Sequence, residues 1–192
     1  MDLTALLREV RGCELCAPHL PHGVRPVLAA HEAARVLIVG QAPGRRVHAS
    51  GVPWDDPSGV RLRSWLAVTD EEFYDPARIA LVPMGFCYPG TGSGGDLPPR
   101  PECAATWHAA LLEHLPRIEL VLLLSRYAHV YYLGRRAKPS VTATVRAWQE
   151  YGPHWMPLPH PSTRNQAWWQ RNPWFERELV PELRERVRAA LA

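Results

Sequence analysis

The amino-acid sequence predicts an α/β fold: a three-layer α/β/α sandwich around a four-stranded, mainly parallel sheet, in one domain spanning residues 1–192. Short apolar segments alternate along the chain with segments of helical periodicity. The apolar segments are apolar without interruption, which is typical of strands covered on both faces, as in parallel sheets. A chain of 192 residues can bury a substantial core in one such domain but is too short for two ordinary domains.

Four apolar segments are predicted to form the strands of this sheet. The clearest is Arg35–Val39, which ends at Gly40, and the weakest is His154–Leu158. The other two are Ile79–Val82 and Ile118–Leu124. Ligands of open α/β sheets bind where loops leave the carboxyl ends of the strands, so the loops after these segments are candidate functional loops.

Helical patterns precede, separate and follow the predicted strands. The last pattern repeats apolar residues at fourfold spacing from Phe175 to Leu191, and Pro181 is expected to divide it into two helices. The remaining predicted helices are Thr4–Val10, Gly59–Leu66, Cys103–Leu115, Tyr127–Leu133 and Val141–Tyr151.

Composition narrows the class of protein. The net charge of +3 gives no strong overall field that would require a polyanionic partner, although arginines accumulate near the candidate loops. These loops are Gly40–Gly59, Pro83–Pro101 and Pro159–Asn165, and the glycine-rich Thr91–Gly95 is expected to be a flexible surface excursion. No stretch approaches the roughly 20 apolar residues of a membrane helix, and no secretory signal is evident. We expect a cytoplasmic monomer without a membrane partner.

The cysteines point to a metal or cluster site. The chain contains Cys13, Cys16, Cys87 and Cys103, and disulfides are not expected without a secretory signal. Four independent buried cysteines are the alternative. Zinc sites usually repeat the tight Cys-x2-Cys spacing, whereas the second pair here is Cys-x15-Cys. An iron-sulfur cluster is therefore favoured, with zinc as the alternative cofactor.

The loop after the first strand carries residues suited to chemistry on a base. It begins Gly40-Gln41-Ala42-Pro43-Gly44, a tight turn with exposed backbone amides, and continues to Trp54, Asp55 and Asp56. An aromatic ring at a loop tip can stack on a base, and a carboxylate can activate water or stabilise a developing cation. Capping of the next helix is the alternative role for Asp56 or Ser58.

The loop after the last strand begins His160-Pro161-Ser162 and continues to Arg164 and Asn165. His160 could donate to an oxyanion on a leaving base, with Ser162 and Arg164 contacting phosphates. A structural histidine is the alternative. A group of tryptophans follows, which could form a base-stacking platform but more commonly forms an aromatic lid over the sandwich. They are Trp168, Trp169 and Trp174.

The chain resembles the uracil-DNA glycosylase superfamily, most closely its iron-sulfur branch, called families 4 and 5. The resemblance extends from Cys13 to about Asn165 and rests on four cysteines and three motifs, Gly40–Gly44, Gly51-Val52-Pro53-Trp54 and His160-Pro161-Ser162. It implies that the cysteines hold a structural [4Fe-4S] cluster. It also implies that Trp54 replaces the phenylalanine that stacks on uracil and that His160 lies near uracil O2. Together with the loop chemistry above, the candidate substrate-binding residues are Gln41, Ala42, Trp54, Ser162, Arg164 and Asn165.

The chain departs from this branch at several positions, which identifies it as a divergent member. Gln41 stands where the first motif usually has a glutamate, and Arg45-Arg46-Val47 replaces an acidic cluster. Pro83 stands where the family has its uracil-reading asparagine. The second motif, His160–Asn165, is more similar to that of the single-strand-selective uracil glycosylases.

These observations predict a DNA glycosylase that flips a damaged, uracil-type base from DNA and hydrolyses its N-glycosidic bond. Asp55 or Asp56 would stabilise the sugar cation, His160 the departing base, and Gln41 would orient the base or a water. A catalytically weak or inactive protein that binds uracil or DNA is the first alternative. A pocket for a nucleotide or another small ligand, unrelated to DNA, is the second.

Overall fold

A computed structural model describes residues 2–192 and contains the predicted sheet. The strands are β1 (Val36–Val39), β2 (Ile79–Leu81), β5 (Leu120–Leu124) and β6 (Trp155–Leu158), in the order β2-β1-β5-β6. Every pairing between them is parallel. A separate antiparallel hairpin is formed by β3 (Thr91–Gly92) and β4 (Gly95–Asp96).

Helices flank the sheet and connect its strands. Six of them overlap predicted helices, and α2, α4 and α8 were not predicted. In chain order they are α1 (Leu3–Arg11), α2 (Arg45–Ser50), α3 (Pro57–Leu66), α4 (Asp70–Tyr74), α5 (Pro101–Glu113), α6 (Arg126–Leu133), α7 (Val141–Arg146), α8 (Gln166–Arg171) and α9 (Val180–Leu191).

Alternate residues of β1 face two different apolar layers, because side chains of a strand point to opposite sides of the sheet. Leu37 and Val39 pack with α1, α5 and α6, whereas Val36 and Ile38 pack with α3, α4 and α9. The three-layer α/β/α prediction is confirmed. Within residues 2–192, no helix is both long and apolar enough to cross a membrane.

The C-terminal helical segment corrects one prediction. Pro181 does not divide it, because the backbone stays helical through a π-turn at Phe175–Leu179 that leads directly into α9. Proline removes an amide donor and crowds the carbonyl four residues earlier, and a wider π-turn accommodates both effects. By contrast, the predicted helix Val141–Tyr151 ends at Arg146 and is followed by a 3₁₀ turn, Trp148–Tyr151.

The glycine-rich segment Thr91–Gly95 is also more ordered than predicted. Its residues pair with Asp96 and with one another in the β3–β4 hairpin, with Thr91 opposite Asp96. Hydrophobic periodicity could not reveal this hairpin, since each of its strands has only two residues.

Two buried histidines fix backbone at the ends of the strands. His129 Nε2 lies 2.9 Å from the carbonyl oxygen of Leu123 and 3.1 Å from that of Leu158. Both partners are acceptors, so Nε2 carries the proton of the neutral ring. Through these two hydrogen bonds His129 joins β5 to β6 just before the His160 loop. His108 Nε2 donates to the carbonyl of Pro83 over 2.9 Å. Burial lowers the pKa of both His108 and His129 to about 4.

The depressed pKa values predict an acid-sensitive fold. The unfolded chain binds protons on these histidines near pH 6.5, whereas the folded chain binds them only near pH 4. Their contribution to the free energy of unfolding is therefore complete above pH 6.5 and lost as the pH falls toward 4. Urea unfolding from pH 7 to pH 4 should show a steeper decline for wild type than for His129→Gln. Equal slopes would contradict neutral burial of His129.

Candidate active site

A cavity of about 450 Å³ lies at the carboxyl ends of the central strands, where ligands of α/β sheets bind. The loops after β1 and β6 form two of its walls, and the β3–β4 hairpin forms part of a third. It gathers all but one of the candidate catalytic and binding residues, namely Gln41, Ala42, Trp54, Asp56, His160, Ser162, Arg164 and Asn165.

Trp54 is held in a strained backbone conformation between two glycines. Its φ of 58° lies in the left-handed region, which a bulky residue rarely adopts. A Cβ on Gly40 would lie 2.8 Å from Cζ2 of the indole, and a Cβ on Gly59 would overlap the Trp54 carbonyl oxygen. The absence of side chains at Gly40 and Gly59 therefore allows the indole to lie against the end of β1.

The indole of Trp54 and the ring of His160 are neighbours in the cavity lining. Their ring centroids are 5.8 Å apart and their planes are inclined by 32°. Burial lowers the pKa of His160, while the negative charges of Asp56 and Asp96 act in the opposite direction. His160 is consequently a neutral imidazole at neutral pH, able to donate one hydrogen bond. The side-chain amide of Asn165 donates to the His160 carbonyl over 2.8 Å and fixes this loop.

Main-chain hydrogen bonds hold the first motif against the segment after β2. The amides of Met84 and Gly85 donate to the carbonyls of Gly40 and Gln41 over 2.9 and 3.0 Å. The side chain of Gln41 remains in the cavity lining. Pro83 lines the cavity as well but offers no side-chain hydrogen-bonding group, so any polar recognition of a base must come from other residues.

The two predicted acidic residues differ in position. Asp56 lines the cavity, but its Oδ1 accepts the Gly59 amide over 2.8 Å and caps α3. Capping was the alternative role predicted for Asp56 or Ser58, and it is confirmed for Asp56. Asp55 is exposed and does not line the cavity, although both residues were expected to act there. A third carboxylate that sequence reasoning missed, Asp96, lines the cavity from the hairpin.

The loop after β6 places a cation at the mouth of the cavity. Ser162 Oγ accepts the Arg164 amide over 3.2 Å, and its carbonyl accepts from Arg61 over 3.4 Å. The Arg164 guanidinium lies over the hairpin, 2.6 Å from where a Cβ on Gly95 would be. It forms no ion pair within residues 2–192, so it is available to an anionic ligand such as a phosphate.

The tryptophans after this loop pack against the protein and lie outside the cavity lining. Trp169 meets Trp65 edge to face at 5.1 Å, and Trp168 Nε1 donates to Thr142 over 2.7 Å. Trp174 is covered by the guanidinium of Arg146 at 4.5 Å. This arrangement agrees with an aromatic lid rather than a base-stacking platform.

All four cysteines line a second, smaller cavity, which we call the cysteine cavity. None of them forms a disulfide. Burial raises the pKa of Cys103 to about 12, and the Phe86 amide donates to its sulfur over 3.3 Å. Among residues 2–192, no group of three or more histidine, cysteine or carboxylate side chains is arranged to hold a metal ion. The other residues around the cysteine cavity include Val10, Leu20, Pro26 and Trp107.

The family of the chain follows from a comparison with protein-family models. Residues 28–184 match the model of the uracil DNA glycosylase superfamily. The match covers well over half of the chain, and the α/β/α fold is consistent with it. The chain belongs to the uracil DNA glycosylase superfamily, a class that generally contains DNA glycosylases.

The packing around Trp54 predicts which glycines tolerate a side chain. Gly59→Ala should lower the free energy of unfolding by roughly 2 kcal/mol or more, because the new methyl group overlaps backbone that cannot easily move. Gly12→Ala is the matched control, since φ there is −89° and the nearest atom to a Cβ is 3.6 Å away.

Urea denaturation of the three proteins measures the difference, with the control expected within about 0.5 kcal/mol of wild type. Equal stability of Gly59→Ala and Gly12→Ala would contradict the position of Trp54.

Proposed function

We propose that this protein is a monofunctional DNA glycosylase that hydrolyses the N-glycosidic bond of a damaged, uracil-type base. The observation that carries the proposal is that Trp54 and His160 lie side by side in one cavity at the strand ends, in a chain of this superfamily. The volume of about 450 Å³ is sufficient for a flipped nucleoside.

In this mechanism the extruded base stacks on Trp54. The C1′–N bond breaks with its electron pair moving to the base, and a neutral His160 donates a hydrogen bond to the oxygen where negative charge develops. A donor placed this way is worth roughly 3 kcal/mol of transition-state stabilisation. Arg164 and Ser162, at the mouth of the cavity, contact the DNA backbone.

Gln41 supports a second candidate function. Its amide can orient a base or a water but cannot stabilise positive charge as a carboxylate does. With Pro83 in the position of the asparagine that reads uracil in similar glycosylases, these residues suit a protein that binds uracil or DNA with weak or no catalysis. Base release by the wild-type protein separates the two candidates.

We also propose that the cysteine cavity holds a [4Fe-4S] cluster with a structural role. Four thiols around one cavity are a suitable donor set, and backbone amides point at two of the sulfurs, from Phe86 to Cys103 and from Arg25 to Cys87. A single zinc ion would need all four sulfurs about 2.3 Å from one point, which is a tighter arrangement. When bound, the cluster would stabilise the fold around Cys87 and Cys103.

The cluster proposal predicts brown protein containing about four irons per chain after anaerobic purification. Cys103→Ala should lose iron and unfold at lower temperature, because cluster binding and folding are coupled. Iron analysis, visible absorbance and thermal unfolding provide the measurements. Colourless protein with stoichiometric zinc would support the zinc alternative. Unchanged metal content and stability in Cys103→Ala would contradict both the cluster and the zinc site.

The glycosylase proposal predicts abasic sites in oligonucleotides that carry uracil, hypoxanthine or xanthine, detected by alkaline cleavage of single strands and duplexes. His160→Ala should slow base release by about 100-fold to 1,000-fold, as expected for loss of one well-placed donor. Trp54→Ala should weaken binding of the same DNA by roughly 1 to 3 kcal/mol, whereas Trp54→Phe keeps a stacking face and should lose less.

Salt titrations of binding complete this experiment. Salt-sensitive DNA binding without base release from any of the oligonucleotides would favour the binding protein. An absence of DNA binding at low salt would contradict both a glycosylase and a DNA-binding protein and would favour a small-molecule ligand.

A further inference from the structure

The β3–β4 hairpin brings a carboxylate to the cavity from outside both motif loops. The hairpin pairs Thr91 with Asp96 and is closed by a hydrogen bond from the Leu97 amide to the Gly90 carbonyl, 2.8 Å long. Asp96 and the glycines before it form part of the cavity wall. The side chain of Asp96 is therefore a constituent of the proposed active site.

Hydrogen bonds fix the orientation of this carboxylate. Thr91 Oγ1 donates to Asp96 Oδ1 over 3.3 Å and, having a single proton, accepts from the Tyr88 hydroxyl 2.5 Å away. Tyr88 is itself buried and stacks on His22, with ring centroids 5.0 Å apart and planes inclined by 20°. The buried ring of Tyr88 thus fixes one end of a series of hydrogen-bonded side chains, and Asp96 is at the other end.

The second oxygen of Asp96 is uncommitted. Oδ2 lies 3.4 Å from where a Cβ on Gly44 would be and receives no hydrogen bond within residues 2–192. Asp56 likewise has one bonded oxygen, but that bond, from the Gly59 amide to its Oδ1, caps the start of α3. Asp55 lies outside the lining. Asp96 is therefore the carboxylate of the cavity lining that caps no helix, and its Oδ2 is free to contact a ligand.

The position of Asp96 suits the sugar rather than the base. Trp54 packs on Gly40, at one end of the first motif, whereas Asp96 lies beside Gly44, at the other end. In the proposed complex the base stacks on Trp54 and C1′ lies toward the Gly44 end. Asp96 is also exposed, so water has access to it. Asp96 and His160 both line the cavity, and the charge of Asp96 acts on the pKa of His160 after the larger effect of Asp56.

We propose that Asp96 is the catalytic carboxylate of base release, an inference that rests on the proposed glycosylase function. As the C1′–N bond breaks and its electron pair leaves with the base, the carboxylate stabilises the cationic sugar. A water oxygen then forms a bond to C1′ and gives one proton to Asp96, from which it passes to solvent. The base anion takes up a proton from solvent, so the net reaction consumes one water and yields an abasic site and the free base.

Asp96→Asn tests this role because the amide keeps the shape of the side chain and can still accept from Thr91. The variant should release base at least about 100-fold more slowly than wild type while binding substrate DNA equally well or more tightly. Glu113→Gln, an exposed substitution on α5 outside the cavity lining, removes the same charge and should match wild type. Thermal unfolding verifies that both variants are folded.

A second measurement does not depend on turnover. Two oligonucleotides are compared, one with a cationic pyrrolidine and one with a neutral tetrahydrofuran in place of the sugar. They differ in the charge of the ring that would lie beside Asp96. Wild type should bind the pyrrolidine at least tenfold more tightly, and Asp96→Asn should lose that preference.

These two measurements distinguish failure of the inference from failure of the proposed function. If wild type releases base and Asp96→Asn releases it at the same rate with an unchanged preference for pyrrolidine, the role of Asp96 is overturned. If wild type releases no base, the glycosylase function is contradicted. The comparison of pyrrolidine and tetrahydrofuran binding then tests the role of Asp96 by itself. A preference that depends on Asp96 then supports its cation-stabilising role, and equal binding by both proteins overturns it.

Discussion

The contact between the Trp54 indole and the backbone of Gly40 is the constraint on which the proposed site depends. It requires a left-handed backbone at Trp54 and the absence of a side chain at both Gly40 and Gly59. Such strain persists only where the surrounding structure fixes it, and it concentrates at functional sites. Here the cap by Asp56 and the start of α3 fix the backbone on one side, and the end of β1 supports the ring on the other.

A single stretch of chain joins the two cavities. Residues 83–85 pair with the first motif through the bond from Gly85 to Gln41, and the next residues, Phe86 and Cys87, line the cysteine cavity. The same stretch continues to Tyr88 and the hairpin that carries Asp96. The same backbone therefore borders both cavities, and the proposed cluster would stabilise one wall of the proposed active site without chemistry of its own.

The sequence predicted the central layer well, because uninterrupted apolar segments such as Leu120–Leu124 have few alternatives to a strand covered on both faces. The meeting of the two motif loops followed from the same reasoning, since parallel strands end at one edge. The sequence could not show that Asp55 lies outside the cavity and Asp56 lines it, because the two residues are adjacent and chemically identical. Asp96 was missed because its placement depends on a two-residue pairing and on the buried Tyr88, which leave no periodic signal.

The most direct test is a crystal structure with a single-stranded oligonucleotide containing 2′-fluoro-2′-deoxyuridine, whose glycosidic bond resists cleavage. The pyrimidine is predicted to lie in the cavity against the indole of Trp54, with an exocyclic oxygen within hydrogen-bonding distance of His160 and C1′ on the side of Asp96. A bound oligonucleotide whose pyrimidine lies outside the cavity, with Trp54 still packed on Gly40, would contradict the proposed site.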